Sequence, residues 1–194
     1  METLVFATNN KHKLEEIRAI LNGIVEVTGL RDIGFTGEIP EEHQTLEGNA
    51  AQKALFIYHR FGMECFADDT GLEIEALNGE PGVYSARYAG ENCTFDDNMN
   101  LVLEKMKGVK NRNARFRTVI ALVEKGNLVY FQGSVNGLIT DEKHGKKGFG
   151  YDPIFKPEGF DRTFAEMPMH EKNSISHRAI ATEALFKYLN GLKK

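Results

Sequence analysis

Two adjacent carboxylates, Asp68 and Asp69, are the residues whose type and spacing most strongly indicate chemistry. The apolar residues 63–67 predict a short buried strand that stops at Asp68, and residues 72–77 predict a second strand. Adjacent carboxylates repel each other unless a cation or a proton is shared between them. Mg²⁺ usually binds one or two carboxylates together with substrate phosphates, so the pair predicts a magnesium site. The alternative is a solvated turn, because Asp and Gly are ordinary turn residues.

The polar segment 8–13 is a second candidate, at the predicted end of the first strand and the start of a helix. Free N–H groups and the helix dipole favour an anion at such a place. Thr8 and Asn10 add neutral donors, and Lys11 or Lys13 adds positive charge. The chain has neither a Gly-x-x-x-x-Gly-Lys-Ser/Thr loop nor a Gly-x-Gly-x-x-Gly fingerprint. The alternative is a helix cap beside a solvated basic turn.

Three acidic residues, Glu38, Glu41 and Glu42, lie in an irregular loop. Most charge runs of this kind are only solvated. One of the three can nevertheless complete a Mg²⁺ site with Asp68 or Asp69.

A glycine-flanked aromatic, Phe149, lies in the segment 148–153. Glycine allows a ligand to approach the backbone closely, and an aromatic ring can stack on a base. The alternative is a hairpin turn with a core Phe, because Gly and Asp-Pro often mark turns.

The first turn of the last predicted helix carries His177 and Arg178, whose charges oppose the helix dipole. A local conflict of this kind is expected at functional sites. Donors from these two residues, joined by Lys172, can read the carbonyl edge of a base. The alternative is a set of surface residues before an amphipathic helix.

Composition excludes several other classes of protein. The 194 residues carry a net charge of −4, which gives no support for a nucleic-acid-coating surface. Cys65 and Cys93 lack a Cys-x-x-Cys spacing, and Ser85 lies in no Gly-x-Ser-x-Gly elbow, so structural zinc and a nucleophilic hydrolase are disfavoured. Neither a signal peptide nor a membrane-spanning stretch is visible, so we expect a cytoplasmic protein.

The elements that must position these residues follow from hydrophobic periodicity. Strands are predicted at residues 3–8, 24–27, 63–67, 72–77, 114–124 and 128–135, with a short one after the Gly-rich loop 148–155. Helices are predicted at residues 11–21, from a Thr45 cap to 61, from a Thr94 capping box to 108, and from about 174–176 to 189. This order predicts an α/β fold with a mixed sheet flanked by helices.

Taken together, these motifs resemble the inosine triphosphate pyrophosphatase family. The matching positions, in the family's order, are Ala7–Lys13, Glu41, Asn49-Ala50 with Lys53, Ala67–Leu72, Pro81–Tyr88, Gly148–Phe155, and Lys172 with Ser176–Arg178. Each motif is weak alone, but the ordered set is specific and spans nearly the whole chain.

The resemblance implies one ITPase-like domain over residues 1–194, an elongated α/β fold of two lobes with a central cleft. It also implies a homodimer, a Mg²⁺ requirement and cleavage of ITP, dITP and XTP to the monophosphate and pyrophosphate. Such an activity removes deaminated purine nucleotides from the nucleotide pool.

The resemblance also implies roles for single residues. Catalysis is expected from Asp69, Asp68 and Lys53, with Glu41 and Asp69 as metal ligands. Substrate binding is expected from Thr8, Asn9, Asn10, Lys11, His12, Lys13, Thr70, Phe149, Gly150, Tyr151, Asp152, Lys172, His177 and Arg178. Phe149 would stack beneath the base, while Lys172, His177 and Arg178 would donate to an oxygen at the purine 6-position. Adenine carries an amino group there and would leave buried donors without acceptors, which is enough for discrimination of about 100-fold.

Three other functions are weighed against this one. A related pyrophosphatase acting on modified pyrimidines or methylated bases would differ in substrate profile. A non-catalytic nucleotide sensor gains little from carboxylates beside phosphates. A nucleic-acid-binding module is disfavoured by the acidic balance and would show salt-sensitive binding.

Overall fold

The structure, a computed structural model, describes residues 3–191, which form a six-stranded sheet and five α-helices. The strands are β1 (Thr3–Phe6), β2 (Glu26–Gly29), β3 (Cys65–Ile74), β4 (Asn113–Glu124), β5 (Asn127–Ile139) and β6 (Phe155–Pro157). The helices are α1 (Lys11–Ile20), α2 (Leu46–Phe61), α3 (Phe95–Lys105), α4 (Met169–Ile175) and α5 (His177–Gly191). The strand order is β2-β1-β3-β4-β5-β6; β1 pairs in parallel with β2 and β3, and β5 pairs antiparallel with β6. The predicted α/β class with a mixed sheet is confirmed.

The opening β-α-β unit forms as predicted, with a shift in its second strand. Val5 and Phe6 of β1 are buried, as expected of a parallel strand covered on both faces. β2 begins at Glu26 rather than at residue 24. The backbone N–H groups of Ile24 and Val25 still donate to the Leu21 carbonyl at the end of α1, so the chain becomes extended only afterwards.

The chain divides into two compact units. Unit 1 comprises the residues up to Asp69, Thr118–Gly133 and the residues from Arg178 onward, and unit 2 comprises Thr70–Arg117 and Ser134–His177. The core of unit 1 includes Phe6, Ile17, Phe66, Ile120 and Leu185. The core of unit 2 includes Ile74, Val102, Phe116, Phe155 and Phe164. That the two units form one domain stays a prediction.

The strand that carries Asp68 and Asp69 does not stop there, and the expectation of a turn was wrong. β3 runs without interruption from Cys65 to Ile74, and its first five residues are all buried. The carboxylates can lie inside a strand because other elements supply their charge and hydrogen-bond partners. The predicted second strand therefore ends at Ile74, and Glu75–Leu77 forms a single 3₁₀ turn.

Local capping signals predicted the helix starts correctly. Thr45 caps α2 by accepting from the Gly48 N–H, and Thr94 and Asp97 form a capping box at α3. The end of the chain differs from expectation, since α4 precedes the final helix and Ser176 is extended between the two. α4 has only 7 residues, too few for a hydrophobic period to be visible in the sequence.

Within residues 3–191, no helix is long and apolar enough to cross a membrane.

Replacement of a core residue in unit 1 should test the packing. Ile120→Ala, at a fully buried position of β4, is expected to lower the free energy of unfolding by about 2–5 kcal/mol through lost burial and a cavity. Ile180→Ala, the same change at a position of α5 that is 42% exposed, should change it by about 0.5 kcal/mol or less. Urea denaturation of both variants measures the difference, and equal losses would contradict the assigned core.

Candidate active site

The N-terminus of α1 is capped by Asn10. The Asn10 Oδ1 atom accepts from the backbone N–H groups of His12, at 3.0 Å, and Lys13, at 3.2 Å. The Asn10 N–H in turn donates to Thr8 Oγ1 at 3.2 Å. The helix cap that was predicted as the alternative is therefore present. Two of the backbone N–H groups expected to bind an anion already donate to Asn10.

Asp68 lies in a buried cluster of charges within unit 1. Lys13 Nζ donates to Asp68 Oδ1 at 2.8 Å, and Arg178 Nε donates to Asp68 Oδ2 at 3.1 Å. Arg178 also donates through a terminal nitrogen to the Glu16 carboxylate. Two cations thus face two carboxylates, and the Arg178 side chain is only 2% exposed.

The charges of this cluster set the protonation of Asp68. Burial alone would raise the pKa of Asp68, but the neighbouring Lys13 and Arg178 outweigh it and hold the pKa well below its usual range. Burial lowers the pKa of Lys13, although Asp68 opposes that shift. Asp68 is therefore a fixed negative charge at neutral pH.

Asp69 meets a different set of partners, because successive side chains of a strand point to opposite faces. Asn49 Nδ2 donates to Asp69 Oδ2 at 3.2 Å, and Lys53 Nζ lies 3.5 Å from Asp69 Oδ1. Asn49 and Lys53 are four residues apart on α2, so both project from one side of the helix. Lys53 also donates to the Glu41 carboxylate.

The pKa of Asp69 moves in the opposite direction from that of Asp68. Burial raises the pKa of Asp69, and Lys53 and Lys13 only partly offset the effect. Burial would lower the pKa of Lys53, but Asp69 and Glu41 outweigh it and raise that pKa. Two adjacent carboxylates whose environments separate their pKa values in this way are suited to different tasks, one as a fixed charge and one as a proton acceptor.

Among the three loop carboxylates, Glu41 is the one that shares a partner with Asp69. Both carboxylates contact Lys53 Nζ, so their oxygens converge on one cation. Glu42 instead pairs with Gln52 through two hydrogen bonds of 2.9 Å, and Glu38 is exposed. Hard oxygen donors that converge in this way fit Mg²⁺, which usually takes only one or two protein carboxylates. Among the residues described, His, Cys, Asp and Glu form no group of three or more that could hold a metal.

A second polar cluster lies in unit 2 around Asp152. The Asp152 Oδ2 atom accepts from Lys172 Nζ at 2.5 Å and from the Phe149 N–H at 2.9 Å. Lys172 Nζ also lies 5.0 Å from the centroid of the Phe149 ring, within cation–π range. Gly148 has φ +74°, and a Cβ there would lie 2.0 Å from Asp152 Oδ2. A larger residue would therefore displace the carboxylate that orients Lys172.

The imidazole of His177 is held by aromatic packing in the same unit. Its ring stacks on Phe116 with centroids 4.6 Å apart and an interplanar angle of 16°. Phe164 contacts both the Phe116 and the His177 rings. Tyr151 is buried, and its hydroxyl donates to the Ser85 carbonyl at 2.8 Å, so it stabilises the loop.

The predicted site residues therefore fall into two groups. Unit 1 brings together Lys13, Glu41, Lys53, Asp68, Asp69 and Arg178, and unit 2 brings together Phe149, Asp152 and Lys172. Asn9 donates to the Gly37 carbonyl, and Lys11 and His12 are exposed. Thr70 and Gly150 are half-buried. Arg178 contacts Asp68 and Glu16, and its predicted role as a donor to the base stays a prediction.

Sequence reasoning missed Glu16 and gave no role to Asn49. Glu16 lies three residues after Lys13 on α1, a spacing that places both side chains on one face of the helix. An acid at that spacing beside the apolar Ile17 was the available signal. Asn49 also accepts from the His43 N–H at 2.8 Å, so it connects Asp69 to the loop that carries Glu41.

Comparison with known proteins decides the family. Residues 4–188 match the model of the Ham1 family. The chain belongs to the Ham1 family. The dITP/XTP pyrophosphatase of Flavobacterium johnsoniae is 52% identical over 190 residues, which are 98% of this chain and 99% of that protein. The protein of the same name from Porphyromonas gingivalis is 54% identical, with 97% of this chain and 98% of that protein covered. The predicted family is thereby confirmed.

Solved structures of Ham1 family members share the fold. The structure of the Staphylococcus aureus Ham1 protein superimposes with a TM-score of 0.88 at 38% sequence identity. The match covers 98% of this chain and 99% of that one. The α/β architecture described above is therefore that of the family.

Removal of the Asp68 charge should destabilise unit 1. Asp68→Asn leaves the buried Arg178 and the half-buried Lys13 with less compensating charge, which is expected to cost about 3–5 kcal/mol of unfolding free energy. Asp32→Asn is the matched control, because Asp32 pairs with Arg18 at the surface, where ion pairs contribute little. Urea denaturation of the two variants checks this, and a loss no larger for Asp68→Asn than for Asp32→Asn would contradict it.

Proposed function

We propose that the protein is a nucleoside-triphosphate pyrophosphohydrolase that acts on non-canonical purine nucleotides. Its substrates are ITP, dITP and XTP, and its products are the nucleoside monophosphate and pyrophosphate. The observation that carries the proposal is the pair Asp68 and Asp69, buried side by side with separated pKa values and each in contact with a lysine. The names of the relatives from Flavobacterium johnsoniae and Porphyromonas gingivalis support the same reaction.

Lysine side chains of unit 1 bind the triphosphate in this proposal. Lys13 and Lys53 are cations with their stems buried in the unit, and each is already oriented by an aspartate. Thr8 and the Asn10 amide nitrogen add neutral donors beside the start of α1. The Asn10 oxygen contributes no acceptor to the substrate, because the α1 cap uses it.

Asp69 is the general base of the proposed reaction. It is the better placed of the pair, since the Asp68 carboxylate already accepts from Lys13 and Arg178. Asp69 takes a proton from the water that attacks the α-phosphorus, and Asn49 and Lys53 hold the carboxylate in position. Asp68 fixes Lys13, so that its ammonium group faces the substrate in one place.

Mg²⁺ is the proposed cofactor, and Asp69 and Glu41 would hold it. When bound, the ion neutralises phosphate charge and lowers the pKa of a coordinated water. Lys53, which contacts both carboxylates, keeps them from repelling each other.

Residues of unit 2 recognise the purine in the proposal. Phe149 stacks on the base, and Lys172, oriented by Asp152, donates to an oxygen at the purine 6-position. His177, held by Phe116, is a second donor. Adenine has an amino group at that position and would leave these buried donors without an acceptor.

The assembly and location of the protein are proposed from the family resemblance. We propose a homodimer in the cytoplasm, where the enzyme removes deaminated purine nucleotides before polymerases use them.

Product analysis tests the reaction directly. The purified protein, incubated with ITP and Mg²⁺, is expected to yield IMP and pyrophosphate, while ATP is left intact because of its 6-amino group. Ion-exchange chromatography separates the products, with a metal-free incubation as the control. IDP and phosphate as products would mean attack at the γ-phosphorus and would refute the proposed mechanism.

Replacement of the base tests the role of Asp69. Asp69→Asn is expected to reduce kcat for ITP by about 100-fold or more, because a general base contributes at least that much. Asp141→Asn, at a side chain that is 95% exposed, should keep the wild-type rate. Steady-state kinetics measure both, with circular dichroism to show that the fold is kept. A near-normal rate for Asp69→Asn would remove this residue from the mechanism.

A further inference from the structure

Phe95 is an aromatic residue of unit 2 that none of the roles above uses. It is the first residue of α3, and 42% of it is exposed. Its ring centroid lies 6.1 Å from that of Phe149, with an interplanar angle of 46°. The two rings are thus neighbours that are tilted toward each other rather than stacked.

Polar contacts on either side of Phe95 fix its backbone despite its exposure. Thr94 and Asp97 form the capping box in which Phe95 lies. The Asp96 carboxylate accepts from Lys143 Nζ at 2.5 Å and from Asn100 Nδ2 at 3.2 Å. Lys143 opens the segment that leads to Phe149, so this ion pair connects the start of α3 to the same loop. Phe95 is therefore held beside Phe149 by a contact that is independent of the two rings.

Contacts with two other residues, Asp152 and Lys172, hold Phe149 in position. Its N–H donates to Asp152, and the ammonium group of Lys172 lies near its ring. A flat base stacked on Phe149 would therefore have a cation of the site at one side and the Phe95 ring as a second aromatic surface. Ligand sites are typically lined by apolar and aromatic groups with a few placed polar groups, and this arrangement has both.

We propose that Phe95 is a further substrate-binding residue that contacts the purine beside Phe149. The inference rests on the proposed function, because it takes Phe149 as the stacking platform. An aromatic ring has no hydrogen-bond preference among bases, so Phe95 strengthens the binding of every purine alike. Discrimination at the 6-position stays with Lys172 and His177.

Steady-state kinetics with ITP and XTP on three variants test the role of the ring. Phe95→Ala and Phe95→Leu are expected to raise KM for both nucleotides by about fivefold or more. A fivefold increase corresponds to the lower end of the free energy that a base–aromatic contact contributes. Their kcat should stay near the wild-type value, and the ratio of ITP to XTP specificity should not change. Phe95→Tyr keeps the ring and should retain the wild-type KM. Tyr130→Ala is the matched control, because Tyr130 is an exposed aromatic of unit 1.

Two binding measurements separate base contact from a structural effect. Tripolyphosphate, which has no base, should inhibit all the variants with the wild-type inhibition constant. Calorimetric titration with IMP should show weaker binding to Phe95→Ala and Phe95→Leu, even if the protein fails to hydrolyse ITP. If the wild-type protein does not hydrolyse ITP but the variants bind IMP more weakly than it does, the proposed function is refuted and the Phe95 contact is supported.

The assignment would be overturned by any of four results. The first two are a wild-type KM in Phe95→Ala and a wild-type KM in Phe95→Leu. The third is a weakening of tripolyphosphate inhibition in the variants as large as their increase in KM. The fourth is a wild-type protein that does not bind IMP.

Discussion

The compensation of the buried Asp68 charge is the constraint on which unit 1 depends. A carboxylate in the interior of a strand is unfavourable by itself, and here it is held by Lys13 of α1 and Arg178 of α5. Glu16 balances the second positive charge, so the group is close to neutral. One ionic cluster therefore ties three elements from the two ends and the middle of the chain. Three elements that contribute to the core of unit 1, namely α1, β3 and α5, therefore also carry this ionic cluster.

Asp69 follows Asp68 on the same strand but has different hydrogen-bond and charge partners. Strand geometry turns Asp69 to the opposite face, where α2 supplies an amide and an ammonium group. Burial raises the pKa of Asp69, and Lys53 and Lys13 offset the effect only in part. The two partner sets explain how identical side chains at consecutive positions acquire different proton affinities.

Features that arise from nearby residues were predictable from the sequence, whereas those that depend on distant partners were not. The caps at Thr45 and Thr94 and the hairpin between β4 and β5 all follow from a few adjacent residues. The continuity of β3 was missed because Arg178 lies 110 positions away in sequence from Asp68. For the same reason the contact between Glu41 and Lys53 was not visible in the sequence. The order of the motifs predicted a set of site residues, which stays a prediction, and the pairing of Arg178 with Asp68 and Glu16 required the structure.

If Lys172 reads the base as proposed, its ion pair with Asp152 in unit 2 constrains how base preference can change over evolution or in the laboratory. Both side chains are almost fully buried, and the carboxylate also anchors the backbone of Phe149. A substitution of Lys172 alone leaves a buried negative charge, and a substitution of Asp152 alone leaves a buried positive one. The two positions are therefore expected to be epistatic, because replacing both together avoids the unpaired buried charge that each single replacement leaves.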